Sequence, residues 1–237
     1  MLINIKYRSD AVEIMDNFAM EGEVLKDALD KIAIINRLLG GNQLTLQGVK
    51  KLLNNYVNFE LITIVDVGCG NGDMLRELAD FGLKNNLNLN LIGIDANLFT
   101  INYAIKCSQE YTNISYQCLD IFDKVFNEIK YDIVLCTLTL HHFKNNEIEK
   151  LLQVFYSNSK IGIVINDLHR SKVSYYLFHL LCFVLRLNYM SKQDGLTSIL
   201  RGFKKKELVA FSKDLCFKTY TIQWKWAFRW QWIIKKV

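Results

Sequence analysis

The stretch VDVGCGNGDML spans residues 65–75 and places three glycines within five positions. An apolar run, ELITIVDVG (60–68), precedes the glycines, and a helix-like run over 73–86 follows them. Glycine permits a tight turn and lets a ligand approach the backbone closely. The stretch therefore predicts a nucleotide-binding loop between a strand and a helix.

The glycine spacing differs from that of two phosphate-binding loops. Gly72 follows Gly70 by two positions, whereas the dinucleotide fingerprint G-x-G-x-x-G needs three, and no G-K-[ST] of a P-loop follows. Asp66 stands just before the glycines, where a carboxylate would repel pyrophosphate and attract a cation. We therefore expect a cationic ligand without phosphate.

Strands and helices alternate after this loop. The apolar runs LNLIGID (89–95), ISYQCLD (114–120), YDIVLCTLTL (131–140) and IGIVINDL (161–168) are separated by helix-like stretches at 73–86, 97–110 and 145–157. This alternation predicts an α/β fold, a parallel sheet with helices on both faces. Residues 10–58 have helical periodicity, and CFKTYTIQWKWAFRWQWIIKKV (216–237) has the alternation of a final pair of strands.

Acidic residues end the second and third predicted strands. Asp95 is placed to accept hydrogen bonds from both hydroxyls of a ribose. Asp120 could accept from an adenine amino group while Ile121 covers the ring. Adenine, ribose, a positive charge and no phosphate together describe S-adenosyl-L-methionine.

The segments VDVGCGNGD, GIDAN, QCLDIF and YDIVLCTLTLHHF resemble the ordered motifs of class I S-adenosylmethionine-dependent methyltransferases, over roughly residues 60–170. The resemblance implies an enzyme with a Rossmann-like, doubly wound, seven-stranded sheet whose last strand is antiparallel. The resemblance also implies the cofactor-binding residues. Around the methionine part they are Asp66, Gly68, Gly70 and Asn71, with Cys69 packing beside them. The ribose is bound by Asp95 and Ala96, the adenine by Asp120 and Ile121, and the sulfonium is bordered by Cys136 and Thr137.

A narrower resemblance involves both ends of the chain. INRLLGG, NDLHRSKVSYYLFHLL, DGLTSILRGFKKKEL and WKWAFRW resemble small bacterial methyltransferases associated with polyketide-type phenolic lipids. It implies O-methylation of a phenol such as an alkylresorcinol, in secondary metabolism. Two alternatives are methylation of another small molecule and a non-catalytic, cofactor-binding role in a biosynthetic complex.

Three histidines are candidate general bases, because methyl transfer to a phenol of pKa about 10 requires removal of a proton. His141 and His142 follow the fourth strand and His169 follows the fifth, at the edge of the sheet that faces the ligand crevice. His169 is the first choice, since Asp167 could orient its imidazole. His179, in an apolar run, is predicted to be a core residue.

The composition predicts one domain, with 51% hydrophobic and 22% charged residues. The apolar segment 173–190 is short for a membrane span of about 20 residues, and a lid, a dimer interface or a peripheral membrane contact are its alternatives. The expected parts of the domain are an N-terminal helical cap, a cofactor-binding core, a helical lid or substrate segment and C-terminal strands, at 1–58, 59–170, 171–212 and 213–237.

Charge and metal-ligand patterns argue against several partners. The net charge is +5, and basic residues do not form a stripe interleaved with aromatic residues. The segment CTLT (136–139) stands where enzymes that methylate amino groups of nucleic acids have a proline-containing tetrapeptide. We therefore expect a small hydrophobic acceptor and no nucleic acid. FKKKEL (203–208) is predicted to be the solvated start of a helix. Arg170 and Arg201 are predicted to lie at the surface, with binding of an acidic acceptor as the alternative. The six cysteines lack a C-x-x-C pair, which predicts no metal and a reducing, cytoplasmic location.

Overall fold

Seven strands form one sheet in the order β3-β2-β1-β4-β5-β7-β6. The computed structural model describes residues 3–54 and 61–236. Strands β1 to β5 pair in parallel, and β7 is antiparallel to both β5 and β6. This confirms the predicted fold class. The strands are β1 (Ile62–Val67), β2 (Leu89–Asp95), β3 (Ile114–Cys118), β4 (Tyr131–Thr137), β5 (Ser159–Leu168), β6 (Thr219–Lys225) and β7 (Arg229–Lys235).

Helices cover both faces of the sheet and the edge where the parallel strands end. Two 3-10 turns, Ile14–Asp16 and Leu140–His142, lie at that edge. The helices are α1 (Glu23–Leu38), α2 (Gly41–Leu53), α3 (Asp73–Lys84), α4 (Leu98–Cys107), α5 (Lys124–Glu128), α6 (Asn145–Asn158), α7 (Lys172–Val184), α8 (Tyr189–Arg201) and α9 (Lys205–Asp214). Among the described residues, no helix combines the length and the apolar character needed to cross a bilayer.

The N-terminal region is less helical than its periodicity predicts. Only a 3-10 turn precedes α1, and the side chain of Asp194 on α8 accepts hydrogen bonds from the backbone N–H groups of Ile14 and Met15 in that turn. Gly40 adopts a left-handed conformation, so α1 ends and α2 begins at once. The helical pattern of TLQGVKKLLNNYV (45–57) predicts a later start for this helix, and the end of that segment lies outside the described residues.

Helix α7 covers the cavity described below with one face and exposes the other. Its fully buried residues are Ser174 and Cys182, whereas Phe183 is 83% exposed. His179 is exposed, so its prediction as a core residue is wrong, because this side chain points away from the inward face of α7.

The two arginines expected at the surface are also buried. Arg170 is fully buried and pairs with Glu207, with Nη2 and Oε1 2.6 Å apart. Arg201 donates to the carbonyl oxygen of His141 and to the carboxylate of Asp16. Both arginines therefore connect chain segments that are distant in sequence. Their burial could not be predicted from the residues next to them in the chain.

The middle of β5 lies in close contact on two sides. A Cβ added at Gly48 on α2 would lie 2.5 Å from Cγ1 of Val164, and one added at Gly162 would lie 2.3 Å from the carbonyl oxygen of Ile234. Helix α2 and strand β7 therefore approach β5 at distances that leave no room for a side chain at either glycine.

We expect Gly162→Ala to lower the free energy of unfolding by about 1–3 kcal/mol, the usual cost of overpacking a core. The obstructing atom belongs to the backbone of β7 and cannot rotate away. Urea unfolding would measure the effect, with Lys160→Ala on the exposed side of β5 as the control. Equal stability of the two variants would contradict the close approach of β5 and β7.

Candidate active site

The glycine loop joins β1 to α3 with three glycines at positive φ. A Cβ at Gly68 would lie 2.3 Å from Oγ1 of Thr139, so packing requires this glycine. At Gly70 the nearest atom would be Cδ2 of Leu29, 3.7 Å away. Gly70 also lines the cavity. Its lack of a side chain leaves space that a ligand can occupy.

Two carboxylates stand beside this loop. Asp95 accepts hydrogen bonds from the backbone N–H groups of Gly70, at 3.3 Å, and Asn97, at 3.0 Å. Asp66 is buried, and its Oδ1 has no hydrogen-bond partner within the described part of the chain. Burial raises the pKa of Asp95, and burial together with Asp73 and Asp95 raises the pKa of Asp66 well above its usual range. A cationic ligand would relieve this unfavourable burial of negative charge.

A cavity of about 760 Å³ extends from this loop over the ends of the strands. The predicted cofactor residues that line it are Asp66, Gly68, Cys69, Gly70, Asn71, Asp95, Ala96, Asp120, Ile121 and Thr137. Cys136 is buried in the core and is not among the lining residues, because successive side chains of a strand point to opposite faces. The sequence analysis expected both Cys136 and Thr137 beside the sulfonium. In the structure Thr137 lines the cavity and Cys136 does not.

The pairing of Asp167 differs from the sequence prediction. Its Oδ1 lies 2.7 Å from Nδ1 of His141, and its Oδ2 accepts from the backbone N–H of the same residue. His169 lines the cavity, but its Nδ1 accepts from Nε1–H of Trp224. Burial, Lys204 and Arg170 lower the pKa of His169. The expectation that Asp167 orients His169 is wrong, because Asp167 faces the turn after β4.

An acidic residue from the N-terminal segment completes the histidine cluster. Oε1 of Glu13 lies 3.6 Å from Nε2 of His141, and neither atom has a hydrogen-bond partner among the residues described. Nδ1 of His142 bonds to Asp16. Burial raises the pKa of Glu13 to about 7, an increase that His142 and the hydroxyl of Ser198 oppose.

No local pattern indicates Glu13 or Asp16 as site residues, because more than 120 positions separate them from the histidines. In the described ranges, Glu13, His141 and His142 are the one set whose donor atoms lie within 4.8 Å of one another and could hold a metal ion. The two imidazole rings are tilted against each other, with centroids 4.3 Å apart and planes at 32°. The cluster therefore offers groups suited to proton transfer or to metal ligation.

Apolar side chains from three segments cover the cavity. The apolar stripe of α1 supplies one wall, the inner face of α7 supplies the roof, and the β6–β7 turn closes the end. The lining residues of these segments are Leu25, Leu29, Ile32, Ile35, Leu39, Leu177, Phe178, Leu181, Trp226 and Phe228. The cavity thus has an acidic end at the glycine loop and a largely apolar remainder.

Comparison with known proteins agrees with this geometry. Residues 64–162 match the family model described as a methyltransferase domain. A ubiquinone biosynthesis O-methyltransferase of Rickettsia bellii is 28% identical over 131 residues, which are 54% of this chain and 51% of that protein. The chain thus spans about half the length of the curated relatives it matches.

Two solved structures share the fold. The plantazolicin methyltransferase BpumL in complex with SAH has a TM-score of 0.68 at 16% identity, covering 88% of this chain and 89% of that one. The magnesium protoporphyrin IX methyltransferase ChlM from Synechocystis PCC 6803 with bound SAH has a TM-score of 0.54 at 17% identity, covering 83% and 82%. Residues 64–162 thus match a methyltransferase domain, which supports the enzyme class and the cofactor expected from the sequence, and the two structures show that this chain shares their fold.

We expect Asp95→Ala to weaken S-adenosylmethionine binding roughly tenfold to a hundredfold, because hydrogen bonds to a charged group are worth about 1.5–3 kcal/mol. Isothermal titration calorimetry would measure this, with the exposed Asp214→Ala as the control. Unchanged affinity would remove Asp95 from the cofactor site.

Glu13→Gln should stabilise the protein relative to wild type at pH 8 but little at pH 5. The raised pKa means that folded Glu13 keeps its proton between about 4.5 and 7 while the unfolded chain loses it. Wild-type stability therefore falls as the pH rises through this window, by on the order of 2 kcal/mol. Thermal unfolding at both pH values would measure the difference, and a gap independent of pH would contradict the raised pKa.

Proposed function

We propose that this protein transfers the methyl group of S-adenosylmethionine to a hydroxyl oxygen of a small hydrophobic acceptor, a phenolic lipid or polyketide-like molecule. The observation that carries the proposal is the buried pair of polar atoms at the cavity wall, Nε2 of His141 and Oε1 of Glu13, which have no hydrogen-bond partner among the described residues. Buried polar atoms are nearly always hydrogen-bonded. An acceptor hydroxyl placed there would supply the missing donor.

His141 is the proposed general base. With its Nδ1–H donated to Asp167, the neutral imidazole presents a lone pair at Nε2 to the cavity. As the acceptor oxygen attacks the methyl carbon, the C–S bond breaks and the hydroxyl proton passes to Nε2. Asp167 orients the imidazole before proton transfer and stabilises the imidazolium that results.

The cofactor supplies an activated methyl group, and the chain's contribution is to bind and position it. Asp95 would hold the ribose, Asp120 and Ile121 the adenine, and Asp66 with the glycine loop the cationic methionine part. Thr137 at the end of β4 would then border the sulfonium. In-line transfer needs the acceptor on the far side of the methyl group, and the proposal assigns that side to the end of β5 and the histidine cluster.

The walls of the cavity support a hydrophobic acceptor. Apolar residues of α1 and α7 contribute to its walls, and its volume of about 760 Å³ is in the usual range of small-molecule sites. The Rickettsia bellii relative is named an O-methyltransferase, which favours oxygen as the methylated atom.

The test compares His141→Gln with His169→Gln, using 5-pentylresorcinol as the acceptor and formation of S-adenosylhomocysteine as the readout. Loss of a general base typically costs about 10²–10⁴ in rate. We expect that loss for His141→Gln, with partial rescue by added imidazole and unchanged cofactor affinity, and less than about a tenfold loss for His169→Gln.

Three other outcomes would change the assignment. A larger loss for His169→Gln would make His169 the base, as the sequence suggested. Inactivation of wild type by EDTA with recovery on adding Zn²⁺ or Mg²⁺ would assign Glu13, His141 and His142 to a metal ion. Absence of turnover on any phenolic acceptor, with cofactor binding intact, would contradict the acceptor class and favour another small molecule or a non-catalytic role.

A further inference from the structure

We propose that Arg229 and the N-terminus of α2 form a binding site for an anionic group, such as a carboxylate, on the acceptor. The inference rests on the proposed function, because it assigns a charge to the molecule that occupies the same cavity. It adds a preference for a phenol that carries an anionic group over a neutral phenol.

Arg229 is a buried cation with too few partners. It is 3% exposed, at the first position of β7, and it lines the cavity. Its Nη2 donates to Oδ1 of Asn36 at 2.7 Å, but its Nε and Nη1 have no hydrogen-bond partner in the part of the chain that the structure describes. A guanidinium has five N–H donors and no means of neutralising itself at ordinary pH, so burial without an anion is costly.

The N-terminus of α2, which lies beside Arg229, makes the burial of this cation less favourable still. A Cβ added at Gly41, the first residue of α2, would lie 3.1 Å from Cζ of Arg229. The guanidinium therefore lies against a helix N-terminus, which carries a partial positive charge. No side chain caps this helix, and its first turn contains no acidic residue. Two positive groups converge here, and an anion between them would satisfy both.

The carboxylates near Arg229 form hydrogen bonds with other residues. Asp167 bonds to His141, and Asp73 accepts from the side chain of Asn42 on α2. They interact with Arg229 only through longer-range attraction, and burial still lowers the pKa of Arg229 to about 10. An ion pair within the described residues therefore does not compensate the charge of Arg229.

The position of Arg229 in the sheet points to the acceptor and not to the cofactor's own carboxylate. Four strand spacings separate β2, which carries Asp95, from β7. At about 4.8 Å per spacing this is roughly 19 Å. Thr137 on β4 lies between the two. The strand spacing thus favours an anion on the acceptor, while Asp73 after the glycine loop also attracts Arg229, so the cofactor's own carboxylate is the alternative that the experiment separates.

The experiment uses benzoate and benzyl alcohol, which share a ring and differ in charge. Calorimetry on the protein saturated with S-adenosylhomocysteine should show tighter binding of benzoate than of benzyl alcohol. Arg229→Met should weaken benzoate binding about tenfold or more and leave benzyl alcohol unaffected. Lys51→Met, which removes a cation from the other end of α2, should leave the preference for benzoate intact.

Two results would overturn the proposal. One is equal binding of benzoate and benzyl alcohol to the wild type, which requires no variant to fold. The other is weaker binding of S-adenosylhomocysteine to Arg229→Met without an effect on benzoate, which would assign Arg229 to the cofactor. Arg229→Lys, which keeps the charge, should retain part of the preference if Arg229→Met does not fold.

These readouts do not depend on turnover. Failure to methylate a phenol would contradict the proposed function while a benzoate preference that depends on Arg229 would still support the anion site.

Discussion

The hydrogen bond between Asp167 and His141 is the interaction on which the active end of this molecule depends. It joins the end of β5 to the turn that follows β4, and both residues are almost fully buried. The carbonyl oxygen of His141 in turn accepts from Arg201, which also binds Asp16. A buried, charge-assisted bond at a strand end thus fixes the histidine turn, the N-terminal segment and α8 relative to one another.

The cavity is lined by buried acidic residues and by a buried arginine. Asp66 and Asp95 lie at the glycine loop, where their burial is unfavourable without a cation. Arg229 lies at the start of β7, where its burial is unfavourable without an anion. The histidines and the apolar walls line the same cavity. Such an arrangement favours a cationic methyl donor and an anionic acceptor, since each ligand relieves an electrostatic cost of the fold.

The apolar walls come from segments outside the sheet. Helix α1 presents its apolar stripe to the cavity, and α7 contributes Leu177, Phe178 and Leu181. Glu13 and Asp16 are brought to the histidines because Asp194 and Arg201 on α8 bind the turn between them. The apolar walls and the cluster of Glu13, Asp16 and the histidines therefore depend on the same segments. A change in the N-terminal segment would alter both.

The sequence by itself determined the class of fold and the cofactor end of the site. The glycine spacing, the alternation of strands with helices and the acids at strand ends are local patterns, and local patterns are set by backbone geometry within a few residues. It also determined that His141, His142 and His169 follow strand ends. Only the tertiary structure decided that Asp167 pairs with His141, that Glu13 joins the cluster and that Arg229 is buried beside α2. These pairings join residues more than 20 positions apart, and the packing of the N-terminal segment, α8 and β7 against the sheet edge brings them together.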